Sequence, residues 1–70
     1  HASSHFTINA TPIVIGEKCW LATDVFVAPG VTIGDGTVVG ARSSVFKSLP
    51  ANVVCRGNPA VVIRERVETE

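Results

Sequence analysis

The chain has 70 residues, no formal net charge at pH 7 and 46% hydrophobic residues. That length bounds it to one small domain, whose core is marginal without help from other chain segments or subunits. The charge balance offers no electrostatic footprint for nucleic acid, and no apolar run is long enough to span a membrane.

Residues 1–12, "HASSHFTINATP", read as a polar loop that ends at Pro12. From residue 13 to residue 50 a strict period sets in. Ile15, Leu21, Val27, Ile33, Val39 and Val45 recur at every sixth position. A small residue follows each of the first five, at Gly16, Ala22, Ala28, Gly34 and Gly40, and Phe46 breaks the rule. A helix cannot produce this, because six residues advance it by about 600° and scatter the set around its axis. A strand keeps its face at every second residue, so a step of six preserves the side. One strand from 15 to 45 would be far too long and would be weakened by its glycines. A generic sandwich of short strands would not hold one phase so long.

The period therefore predicts short strands separated by regular corners. Three corners close a triangle, eighteen residues make one coil, and successive coils stack at roughly 4.8 Å. A second inward row lies two residues before the first, at Ile13, Cys19, Val25, Val31, Thr37 and Ser43. Residues 15–32 and 33–50 form successive coils, with Ile15 on Ile33, Leu21 on Val39 and Val27 on Val45. The small residues sit at the corners, and Gly30 and Gly36 add permissive backbone. Trp20 points outward with Val38 directly above it, and Phe26 and Phe46 project from another face. Exposed groups of that size mark a contact surface, either a subunit interface or a cofactor groove. Burial under the N-terminal loop or the C-terminal segment is the other reading.

Residues 51–70, "ANVVCRGNPAVVIRERVETE", leave the coils. Within them "NPAVVIRERV" predicts a short helix, with Asn58 as N-cap and Pro59 at the first helical position. Val62, Ile63 and Val67 would form its apolar side, and Arg64, Glu65, Arg66 and Glu68 its wet side. Cys19 falls in an inward slot and Cys55 after the repeats. No disulfide is implied, and a reduced, cytoplasmic protein is expected. Two coils leave open strand edges at both ends. The chain begins at His1, in loop-like sequence with no methionine, and further coils are expected to precede it.

The coils followed by "VVCRGNPAVVI" resemble the hexapeptide-repeat acyltransferases of the left-handed β-helix class, in which a "VVAGNPARVI" segment is frequent. The stretch "TPIVIGEKCWLATDVFVAPGVTIGDGTVVGARSSV" is similar to the coils of sugar O-acetyltransferases, including those of colanic acid and related exopolysaccharide synthesis. The resemblance covers residues 12 to about 66. It implies an all-β fold, a left-handed parallel β-helix shaped as a triangular prism, here with a short C-terminal helix. It also implies a homotrimer, acetyl-CoA as acyl donor in the groove between prisms, and a sugar or polysaccharide-precursor hydroxyl as acceptor. In such enzymes a histidine deprotonates the acceptor hydroxyl, which attacks the thioester directly.

Carried onto this chain, the resemblance implies that Gly40, Ala41 and Ser43 line the CoA arm through their backbone. Lys47 falls near the adenosine phosphate, Asn58, Pro59 and Ala60 near the adenine end, and Arg64 where phosphate is often contacted. Each also has a plain reading: corner geometry for Gly40, a solvated lysine or arginine for Lys47 and Arg64, and a capped helix start for Asn58 and Pro59. The chain departs at Val61, where the family usually carries Arg or Lys, and that weakens 3′-phosphate recognition. The family's Ser-His-Asp segment is not matched either, since Ser4 and His5 are followed by Phe6. Alignment on Phe6 puts the expected histidine just upstream of His1, leaving His1 and His5 as loop residues. His5 is the fallback base. A zinc carbonic anhydrase on a similar prism would need three histidine ligands, and the chain has two, so no metal site is expected. A non-catalytic trimeric β-helix module is the remaining alternative.

Overall fold

The computed structural model describes residues 11–67. Six two-residue strands recur with the period of the sequence: β1 Val14–Ile15, β2 Trp20–Leu21, β3 Phe26–Val27, β4 Thr32–Ile33, β5 Val38–Val39 and β6 Ser44–Val45. Two longer strands follow, β7 Val53–Gly57 and β8 Ala60–Glu65. β1 pairs in parallel with β4, β2 with β5 and β3 with β6, each one coil of eighteen residues apart. Three faces result, and the stacks Ile15 on Ile33, Leu21 on Val39 and Val27 on Val45 are the expected ones. Each upper residue donates straight down the prism: Gly16 N to Ile33 O at 2.8 Å, Ala22 N to Val39 O at 3.0 Å and Ala28 N to Val45 O at 2.9 Å.

Ile33, Val39 and Val45 are fully buried, and Val31, Thr37 and Ser43 of the second inward row are buried beside them. The polar members of that row find backbone partners. Thr37 Oγ1 donates to Pro50 O at 2.5 Å, and Ser43 Oγ accepts from Gly57 N at 3.0 Å. In the first coil Leu21 and Val27 are half-buried and Ile15 is 45% exposed, because the described residues place no coil above it.

The corners explain the small residues and refine their role. The left-handed backbone conformation belongs to Lys18, Asp24, Gly30, Gly36 and Arg42, again at six-residue spacing, with φ between 59° and 82°. Three of these are not glycine, and such residues adopt this conformation at a cost of about 1–2 kcal/mol. A second ladder of hydrogen bonds holds them there: Gly36 N donates to Glu17 O and Arg42 N to Thr23 O, both at 2.8 Å. Gly16 and Gly34 stand two residues earlier, and close approach is what keeps them small. A Cβ on Gly16 would run into Asp35, and one on Gly34 into the Pro50–Ala51 backbone.

The chain then adds a third, shorter level. Ile33 bridges in parallel to Leu49, sixteen residues on, and β5 pairs in parallel with β7, putting Cys55 under Val39. The two missing residues fall between Val45 and Leu49. There Ser48 Oγ accepts from Thr32 N at 2.9 Å, where a regular coil would present a carbonyl. Leu49, Val53 and Cys55 all join the buried core, so Cys55 belongs to the stack and not to an exposed tail.

The helix expected over 58–67 does not form. Residues 60–65 are strand β8, antiparallel to β7, and the order of that sheet is β2-β5-β7-β8. β7 presents an open edge whose backbone groups need partners, and the β-branched run Val61, Val62, Ile63 suits a strand better than a helix. Asn58 and Pro59 form the two-residue turn, with a cis bond between them and Gly57 at φ 111° before them. The register shifts between Val54, paired with Arg64, and Cys55, paired with Val62, leaving Ile63 as the extra residue of a bulge.

Replacing Ile33 by Ala is expected to destabilise the fold by about 2–5 kcal/mol, the usual cost of emptying a tight aliphatic site. Ile15→Ala should cost clearly less, because that side chain is already half in water. Denaturant titration of both variants measures the difference, and equal losses would contradict the packing described. Burial also pushes the Cys55 thiol above its ordinary pKa. The folded state keeps that proton where the unfolded chain releases it. This contribution is therefore intact below the unfolded thiol value, about 8.5, and falls as pH rises past it. Cys55→Ser should flatten that alkaline decline in unfolding curves.

Candidate functional site

One corner collects most of the residues singled out for binding. Gly40 follows β5, and its amide donates to Cys55 O at 2.9 Å. A Cβ on Gly40 would lie 3.1 Å from Cβ of Arg56, so only a very small residue lets the two levels close up here. Ala41 and Arg42 make the turn, exposed to solvent. Ser43 then points inward, and its hydroxyl accepts from Gly57 N at 3.0 Å. That bond ties the corner Gly40–Ser43 to the hairpin turn Gly57–Ala60 below it. Gly40, Ala41, Ser43, Asn58, Pro59 and Ala60, widely separated in sequence, thus meet at a single edge of the prism.

Their contributions differ. Ala41, Asn58 and Pro59 are exposed, whereas the Ser43 side chain is buried and committed to the fold. Ser43 can offer a ligand only its main chain, and its carbonyl already accepts from Phe26 N at 2.9 Å. Asn58 and Pro59, expected to open a helix, instead form the tip of the hairpin.

Lys47 is not at this corner. It lies on the short step from β6 to Leu49, one corner further round the triangle. Arg64 stands on the outer face of the four-stranded sheet, in the row Trp20, Val38, Val54, Arg64 that the strand register defines. Its Nη1 donates to Glu65 O at 3.1 Å. Trp20 heads the row and is 67% exposed. Phe26 and Phe46 sit on the next face, half in solvent, their ring centroids 5.8 Å apart and the rings tilted by 48°.

Sequence reasoning missed Arg56, which packs its stem against Gly40, and Arg66, which the helix reading left in water. Arg56 sits one place after Cys55, and a resumed period from Leu49 to Cys55 would have brought it to the corner. His1 and His5, expected to be loop residues with His5 as the fallback base, lie outside the described residues. The described residues contain no histidine, and at this corner they expose main chain, small residues and Arg42. Among the described residues no group of three or more His, Cys, Asp or Glu could hold a metal ion, and no helix is long and apolar enough to cross a membrane.

Comparison with known proteins bears on this surface. Residues 12–47 match the bacterial transferase hexapeptide family (six repeats). The chain is 99% identical over all 70 residues to WcaF of Escherichia coli (strain K12), a protein named for a colanic acid biosynthesis acetyltransferase, and it spans 38% of that protein's length. Among solved structures it is similar to a galactoside acetyltransferase in complex with coenzyme A, with 49% identity and a TM-score of 0.81. That match covers 84% of this chain and 30% of the other. It is also similar to a maltose O-acetyltransferase from Clostridium difficile 630, with 45% identity and a TM-score of 0.80 over 83% of this chain and 31% of that one.

The Ser43–Gly57 bond holds the corner together. Ser43→Ala leaves the Gly57 amide without its partner at the edge of the core and should cost roughly 1–3 kcal/mol. Amide exchange at Gly57 should accelerate by more than that at Val39. An unchanged Gly57 amide would separate the corner from the turn.

Proposed function

The chain belongs to the bacterial transferases built of hexapeptide repeats, and on that premise we propose that it forms part of an acetyl-CoA-dependent O-acetyltransferase. The acceptor is a hydroxyl of a sugar or polysaccharide precursor. The likeness to WcaF and to the galactoside and maltose acetyltransferases supports this reading. The observation that carries it is the meeting of the Gly40–Ser43 corner with the Gly57–Ala60 turn.

A long thioester substrate needs a cleft whose backbone it can approach closely, and glycine and alanine corners permit that approach. In this reading Gly40, Ala41 and the main chain of Ser43 line the pantetheine arm. Asn58, Pro59 and Ala60 flank the adenine end, while Lys47 and Arg64 meet phosphate. Because Lys47 and Arg64 stand on different parts of the prism, the groove that uses both runs between neighbouring subunits. The coils are left-handed and the assembly is a cytoplasmic homotrimer. Trp20, Phe26 and Phe46 then serve as contact groups, which accounts for their exposure. Transfer proceeds by removal of the acceptor proton by a general base, attack of the oxygen on the thioester carbonyl carbon, and departure of CoA as thiolate. The base is a histidine outside the described residues.

Lysine supplies a point charge and arginine a planar fork for phosphate oxygens. Each of Lys47→Ala and Arg64→Ala is expected to weaken CoA binding by about tenfold, an effect of roughly 1.4 kcal/mol moderated by salt. Dephospho-CoA should bind the parent less tightly and lose less on substitution. Calorimetry at two salt concentrations reads these terms. Equal affinities throughout would remove both residues from the groove, and binding without acetyl transfer would favour a structural module.

A further inference from the structure

Strand β8 lies mostly outside the core. Ala60 alone of its residues packs against the core, and Val61–Glu65 are exposed. Beyond the bonds of β8 to β7, Arg66 fastens the end of the strand to the coils among the described residues. The Arg66 amide donates to Asn52 O at 2.8 Å. Its guanidinium Nη1 donates to Gly36 O at 2.8 Å and reaches Lys18 O at 3.5 Å. Lys18, Gly36 and Asn52 are the left-handed residues of one corner at three successive levels. A single arginine thus spans the full height of the described prism.

We propose that Arg66 is a positioning residue, a strap that fixes the β7–β8 hairpin against the coil stack and so sets where its turn Gly57–Ala60 stands. Corner carbonyls are suited to this. Left-handed corners leave the Lys18 and Gly36 carbonyls available to an outside donor, and a charged donor binds a carbonyl more strongly than a neutral one. Nη1 carries two N–H groups, so one side-chain nitrogen serves two levels while the Arg66 amide serves the third. Lysine also carries several N–H donors on one nitrogen, but its stem is one bond shorter, so its ammonium reaches these carbonyls less well. The reach of Arg66 to the bound cofactor rests on the acetyl-CoA reading of the turn; its hold on the hairpin does not.

The test compares the parent, Arg66→Ala and Arg66→Lys within the whole acetyltransferase of which these coils form part. Amide hydrogen exchange without ligand is expected to quicken along β8 and at Gly57 by roughly tenfold or more in Arg66→Ala. Val39 and Val45 should stay as protected as in the parent, and Arg66→Lys should fall between. With acetyl-CoA and an acceptor sugar, KM for acetyl-CoA should rise by roughly fivefold in Arg66→Ala with kcat nearly unchanged. Unchanged exchange in β8, or equal acceleration throughout the prism, overturns the strap. Faster β8 exchange with an unaltered KM overturns its positioning of the cofactor turn. A parent that binds no CoA overturns the acetyl-CoA reading instead, and exchange alone then decides on Arg66.

Discussion

Everything in this fold depends on one constraint: each coil must present its hydrogen-bonding groups to the coil below it in register. The vertical bonds from Gly16, Ala22 and Ala28 require the chain to return to the same place after three sides. That requirement dictates a common side length, hence the six-residue period, hence the inward stack of aliphatic residues. The corners carry the same constraint in sharper form. Lys18, Asp24 and Arg42 accept a costly backbone conformation because their ladder of amides and carbonyls leaves no other.

The constraint also explains what could be read from the chain and what could not. Ile33, Val39 and Val45 were legible as core because every level repeats the same geometry, and the periodic positions have one environment. The pairing of Val38 with Trp20 follows from the same register. The third level was hidden by the two residues lost between Val45 and Leu49. A search in one fixed phase stops there, although Leu49, Val53 and Cys55 restore the spacing immediately. Strand β8 was misread for a different reason. Asn58 and Pro59 are as apt for a turn as for a helix start, and only the open edge of β7 decides between them. Local preference gave way to a tertiary partner, as it often does for short segments.

The candidate site was legible in composition but not in arrangement. Gly40, Ala41, Asn58 and Pro59 could be singled out, yet nothing local to either segment says that they meet. Their meeting depends on a sixteen-residue return and on the buried Ser43 hydroxyl bonding to Gly57. Arg66 was invisible for the same reason, since its acceptors are thirty and forty-eight residues away.

The antiparallel direction of β8 has a consequence for assembly. A stack of identical parallel coils is a template: its last level offers the same edge as every other, and another chain could extend it without limit. In β8 the chain turns back on that edge, introduces a bulge at Ile63 and places Arg64 and Glu65 along the strand. A parallel coil arriving from below no longer meets the pattern it would need, and charged side chains line its approach. On that face the hairpin replaces the parallel edge with an antiparallel one, and the repeat no longer offers its own template there.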